Sequence, residues 1–99
     1  MINVLDEAAE ELLSAAKWYD AERHGLGDQL LADVNLAFMA IEENPMTWPA
    51  APGSRGARRL LCKRFPYVAY YVVRDSIIWI VAVAHTSRQP GYWHHRVKH

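Results

Sequence analysis

Five histidines, His24, His85, His94, His95 and His99, are the side chains in this sequence that could hold a metal. His95 and His99 are spaced by four, which would put two imidazoles on one face of a helix. No acidic or cysteine ligand accompanies them, and His99 is the last residue, where fraying works against rigid ligation. No metal site is expected. Cys62 and His85 could form a nucleophile and its base. Cys62, however, sits mid-strand beside Leu60 and Leu61, and a buried free cysteine is ordinarily inert packing. The chain has no glycine loop able to cradle a phosphate, and Asp75 alone is acidic after residue 43, so no carboxylate pair is expected near the C-terminal half. No cofactor is implied.

What remains is a concentration of Arg58, Arg59, Lys63, Arg64, Arg88, Tyr92, Trp93 and Arg96. Guanidinium groups offer phosphates paired hydrogen bonds and aromatic rings stack on bases, so this mix suits single-stranded RNA. It equally suits an acidic peptide that docks on a basic sheet edge, with Trp93 as the apolar anchor. Composition does not separate the two.

The elements that must position these residues follow from periodicity. Met1 to Leu5 reads as a short strand, and Asp6 can cap a helix over residues 6 to 23, in which Ala9, Leu12, Leu13, Ala16 and Tyr19 recur at helical spacing. Gly25 and Gly27 break it. Leu30, Val34, Ala37, Phe38 and Ile41 mark a second helix, over residues 28 to 43, that ends before Asn44-Pro45, so the two form an antiparallel hairpin. Three prolines, two glycines and Trp48 between Pro45 and Gly56 make a loop. Beyond it, Ala57 to Phe65, Tyr67 to Arg74 and Ile77 to His85 have strand length and composition, with turns at Phe65-Pro66 and Asp75-Ser76. The expected fold is a two-layer α/β (α+β) domain: N-terminal strand, helix hairpin, then a three-stranded antiparallel meander. On the middle strand Tyr67, Ala69, Tyr71 and Val73 face one way and Val68, Tyr70 and Val72 the other. Both faces therefore need cover. The hairpin supplies one, and a partner chain or the segment from Pro90 to His99 supplies the other.

With 99 residues, 52% hydrophobic and 22% charged, the chain fits a single globular domain over residues 1 to 99 and is too apolar for disorder. A single cysteine excludes an internal disulfide framework. The apolar run Ile77 to Ala84 is far too short to span a membrane, and the N-terminus is acidic where a signal peptide would be basic, so a cytoplasmic protein is expected. The formal net charge of zero hides a division: residues 1 to 50 carry a net of −8 and residues 51 to 99 a net of +8. Such asymmetry means either a basic face that meets nucleic acid or an acidic partner, or two halves that neutralise each other in one compact fold.

The order strand, two helices, loop and meander, together with three local signatures, resembles the RelE/ParE superfamily of bacterial toxin–antitoxin toxins. The signatures are Trp18-Tyr19; Arg59 through Phe65-Pro66-Tyr67 with Tyr71; and Ala82-Val83-Ala84-His85 followed by Arg88, Pro90, Tyr92, Trp93 and Arg96. The resemblance implies a small toxin held inactive by a cognate antitoxin, and two branches differ in target. The RelE-like branch cuts mRNA in the ribosome with basic residues on the sheet and a C-terminal tyrosine. By position Arg59 and Tyr92 match that set, with His85 and Arg88 as further catalytic candidates, but Leu61, Val68 and Thr86 stand where the other bases belong. A subgroup using glutamate with histidine is matched by His85 alone, since no glutamate lies near it in sequence. The ParE-like branch inhibits DNA gyrase through a binding surface without an acid–base set, and the sequence is closer to it. Whether the chain is an enzyme turns on that branch; a binding module that has lost toxicity is the third class. An antitoxin would cover the basic half by a helix in a groove or a strand on an edge, whereas a self-sufficient dimer would bury it symmetrically.

Overall fold

The computed structural model describes residues 1–51, 53 and 55–97. Its elements are β1 (Ile2–Val4), α1 (Asp6–Glu22), α2 (Leu26–Glu43), β2 (Arg58–Leu61), β3 (Tyr67–Arg74), β4 (Ile77–His85) and a 3-10 turn at His94–Arg96. The sheet order is β1-β4-β3-β2. β1 runs parallel to β4, while β2, β3 and β4 form the antiparallel meander. The first strand thus lies beside the last, where Ile2 packs against the helix-side core. The architecture agrees with the sequence expectation, and no described helix is long and apolar enough to cross a membrane.

Local chemistry explains the boundaries. Asp6 does not cap α1: Leu5 holds the cap position with extended backbone, and its N–H donates to the Ile80 carbonyl at 3.0 Å. Asp6 and Glu7 occupy the first turn, where negative charge favours the helix dipole. Gly25 sits at the start of α2 with φ of 93°, a conformation that a side chain would strain. Gly27 does not break the helix, as its position among glycines suggests, but lies inside α2 against α1. A Cβ there would fall 2.4 Å from the Ala16 carbonyl oxygen, and the Gly27 N–H instead donates to Asp20 at 2.7 Å. One helix therefore caps the next. The β3–β4 turn places Asp75 and Ser76 at φ of 54° and 66°, the positive values that two-residue hairpin turns need.

Two cores flank the sheet. On the helix side Leu30, Val34 and Ile41 of α2 and Ala8 and Ala16 of α1 meet Ala69, Tyr71, Ile78, Ile80 and Val83. On the far side Val68, Tyr70, Val72, Val81 and Ala82 meet Trp93 and Val97 of the C-terminal segment and Ala51 and Ala57 of the loop. The chain's own C-terminal segment is therefore a cover of the second face. A register shift between Tyr70 and Tyr71 sets Tyr70 opposite Ala82 and Tyr71 opposite Ile80. Val81 is the extra residue, which lets Val81 and Ala82 both join the far core. Leu13, placed in the apolar stripe by spacing, is instead 54% exposed, because the α1 stripe centres on Ala8, Leu12, Ala15 and Tyr19.

Trp93 carries the far core, so Trp93→Ala is expected to lower unfolding stability by about 3–5 kcal/mol in denaturant titration, as large aromatic truncations do. Leu13→Ala serves as the control, with a change within about 0.5 kcal/mol.

Candidate functional site

A groove of about 580 Å³ runs between α1 and the last strand, with Glu7, Glu10 and Glu11 on one wall and His85, Arg88 and Arg96 on the other. It exists because β1 pairs with β4 only from Ile78 to Ile80, leaving the rest of that strand edge without a strand neighbour among the described residues. Side chains take up its backbone groups. Glu11 accepts from the Val83 N–H at 3.1 Å, and Arg96 donates to the Val81 carbonyl at 3.0 Å.

Glu11 is the centre of this site and was not legible as such. Its carboxylate accepts from the Tyr92 hydroxyl at 2.6 Å and from both terminal nitrogens of Arg96 at 3.0 and 3.2 Å, a paired geometry stronger than a single contact. Arg88 adds an ion pair at 3.6 Å and stacks its guanidinium over the Tyr92 ring at 3.7 Å. Burial works against the Arg96 charge, but the bond to Glu11 and its charge outweigh that and hold the guanidinium more firmly protonated than usual. Burial, then the Glu11 bond and charge, push the Tyr92 hydroxyl well above its ordinary value, with Arg88 and Arg96 opposing. A carboxylate from the acidic half thus pairs with two cations of the basic half. Spacing alone conceals this, because Glu11 and Tyr92 are separated by 81 residues.

The structure disperses the expected basic set. Arg58 reaches the helix-side loop and donates to the Trp48 carbonyl at 2.6 Å, while the Tyr71 hydroxyl bonds the Pro45 carbonyl at 2.5 Å. Arg59 is half-buried on β2, opposite Tyr70. Lys63 and Arg64 are exposed in the β2–β3 connection, where the Arg64 guanidinium meets Gln29 at 3.4 Å. Trp93 is not an exposed anchor: it is fully buried, with its ring 4.8 Å from that of Tyr70. Arg88, Tyr92 and Arg96 do come together, but around Glu11.

Glu10 and Glu11, distant from His85 in sequence, line the same groove as His85. Its Nδ1 is taken up by Ser87, with Ser87 Oγ at 2.8 Å, and its ring meets Tyr67 edge-on at 5.4 Å. Cys62 lies just beyond β2 rather than within it, in a different depression from His85, near Asp33. Burial and the Asp33 charge push its thiol up to about 11, so it is a poor nucleophile at neutral pH. Asp33 also escaped the sequence reading: only 4% exposed, it accepts the N–H groups of Arg64 and Phe65 at 2.9 Å each and pins the β2–β3 turn to α2. Among the described residues no group of three or more His, Cys, Asp or Glu could hold a metal, and His99, the expected partner of His95, lies outside them.

Two measurements follow. Alkylation of Cys62 by iodoacetamide should be slow at pH 8 and rise steeply only as pH approaches about 11. Tyrosines whose folded values are raised keep their protons while the unfolded chain begins to lose them near 10, so stability is full below pH 10 and falls above it. Tyr92→Phe should flatten that alkaline decline in pH-dependent thermal melts.

The family model described as ParE toxin of type II toxin-antitoxin system, parDE, matches residues 2–90. The chain is also similar in structure to a chain of the solved chromosomal ParDE TA system from P. aeruginosa, with a TM-score of 0.76 and 17% identity over 85% of this chain and 92% of that one. No curated protein matches the sequence. The family match spans the strand, hairpin and meander together with the His85 and Arg88 wall of the groove, so the chain belongs to the ParE toxin family of type II toxin–antitoxin systems.

Proposed function

We propose that residues 1 to 99 act as one toxin domain that arrests growth in the cytoplasm by binding DNA gyrase, and that a cognate antitoxin neutralises it. The family match over residues 2–90 carries this reading. The side chains support it. Inhibition by binding requires a presented surface and no group in motion between protonation states. Tyr92, which the ribonuclease reading would need free, is committed to Glu11 together with Arg96, and Arg58 is committed to a loop carbonyl. Arg59, Lys63, Arg64 and Arg88 remain the candidate contacts to target or partner.

One observation favours the alternative, ribosome-dependent cleavage of mRNA. Imidazole, carboxylate and guanidinium share one groove at His85, Glu10, Glu11 and Arg88, the groups that could move a proton and steady a phosphate. The two readings separate in parallel assays with purified protein. On the gyrase reading, supercoiling of relaxed plasmid by gyrase is inhibited while a translated reporter message stays intact. Rapid cleavage of that message only with ribosomes, lost in Arg59→Ala, His85→Ala or Tyr92→Phe, would replace gyrase with the ribosome.

A further inference from the structure

Arg88 differs from the other exposed cations in being held in place and yet left without a side-chain hydrogen bond. Its N–H donates to the His85 carbonyl at 3.0 Å, which fixes the backbone in the turn after β4. Its guanidinium lies 3.7 Å from the centre of the Tyr92 ring and 3.6 Å from Glu11 Oε2. The second distance is an attraction between charges but too long for a hydrogen bond. The side chain is 52% exposed, and none of its guanidinium N–H groups meets an acceptor among the described residues.

Glu11 explains why. Its Oε1 accepts from the Val83 N–H at 3.1 Å and from Arg96 at 3.0 Å, and its Oε2 from the Tyr92 hydroxyl at 2.6 Å and from Arg96 at 3.2 Å. A carboxylate has about four acceptor positions, so this one is filled. It orients Arg88 by charge and leaves the donors open. Lys63 and Arg64 are exposed too, but neither is stacked on an aromatic ring among the described residues. A guanidinium already oriented on a ring loses less freedom on binding than a loose side chain does.

The open fork of N–H groups matches a planar acceptor with two oxygens, a carboxylate or a phosphate. The opposite wall of the groove discriminates between the molecules that carry them. Glu7 and Glu10 are exposed there, and neither forms a salt bridge among the described residues. A nucleic-acid strand repeats its phosphates and would bring further negative charge beside these carboxylates. A protein segment sets a single carboxylate at Arg88 and has lysine or arginine available for Glu7 and Glu10. The two signs of the groove therefore fit a protein segment of mixed charge.

We infer that Arg88 is the specificity-determining contact of this toxin with its target, that it takes a carboxylate on a protein surface, and that Glu11 and Tyr92 are positioning residues that aim it. The inference rests on the gyrase reading above, under which that surface belongs to gyrase.

The test is the concentration of purified chain that half-inhibits supercoiling of relaxed plasmid by gyrase. Arg88→Ala is expected to raise it about 30-fold, and Arg88→Lys about tenfold, because an ammonium keeps the charge but not the fork. Tyr92→Leu removes the stacking ring and should raise it about tenfold, whereas Tyr92→Phe keeps the ring and should raise it by less than about threefold. In the Arg88→Ala background Tyr92→Leu should add less than about twofold, while a tyrosine that served only the fold would act equally in both backgrounds. Arg23→Ala, an exposed cation beyond the end of α1, should change the value by less than about twofold. Circular dichroism melts report whether each variant folds, and the Arg88 variants alter only a half-exposed side chain. Equal inhibition by the parent chain, Arg88→Ala and Arg88→Lys overturns the inference and leaves the gyrase reading standing. A parent chain that does not inhibit gyrase removes that reading and the inference with it. Binding of the parent chain to plasmid without gyrase, abolished by Arg88→Ala, assigns Arg88 to phosphate and overturns the inference. Loss of binding to the antitoxin encoded beside the chain in Arg88→Ala, with gyrase inhibition intact, assigns it to the antitoxin and overturns it too.

Discussion

A sheet that is apolar on both faces, in a chain of 99 residues, must be covered twice, and one helix hairpin covers it once. The remaining cover is a C-terminal segment with little regular structure: Trp93, Val97 and a single 3-10 turn. Such a segment has few backbone bonds of its own to set against its ordering entropy. It stays on the sheet because its side chains are held elsewhere. Trp93 is buried against Tyr70, and Tyr92 and Arg96 are tied to Glu11 on α1. One carboxylate thus joins the helix layer to the far cover across the open end of β4 and, in doing so, fills the backbone edge at Val83.

This arrangement gives the charge division of the chain its physical meaning. The acidic half and the basic half meet at Glu11, Arg88 and Arg96, so part of the excess is neutralised internally. The ion pair with Arg96 is largely buried, with the Arg96 side chain 10% exposed and that of Glu11 15%. Further hydrogen bonds support the pair, from the Val83 N–H and the Tyr92 hydroxyl to Glu11 and from Arg96 to the Val81 carbonyl, while Arg96 Nε is buried without a partner among the described residues; loss of either member of such a pair is costly. Of the basic-half cations left outward, Lys63 and Arg64 lie in the β2–β3 connection, close in sequence to the exposed Leu61, and Arg88 lies at the Glu11 groove. Family membership supplies the toxin; the distribution of committed and uncommitted side chains decides which surfaces it has left to present.

Much of the fold was legible because periodicity is a local property. The alternation of Tyr67 to Val73 assigned every β3 side chain to its correct face, and the bounds of β3 and β4 match the sequence segments. Two features were not legible, each because it depends on contact between distant residues. Gly27 looks like a breaker until α1 is seen passing over it. The bulge at Val81 shifts the β4 alternation by one residue, and Ile77 to Ala84 is apolar throughout, so no polar residue marks the slip. The site was less legible than the fold. Arg88, Tyr92 and Arg96 were recognisable as a group, but Glu11 reads as one more charge on a solvated helix face, and Trp93 reads as an anchor for a partner rather than for its own sheet.

Glu11 holds the C-terminal segment as cover for the far face. Native-state amide hydrogen exchange of the parent chain and Glu11→Ala tests it most directly. Protection is expected to be lost at Val83, in residues 92 to 97 and at the far-core positions of the sheet, while α2 and its core partners keep theirs. Protection that is unchanged in the variant, or that falls evenly across α2 and the sheet together, would contradict it.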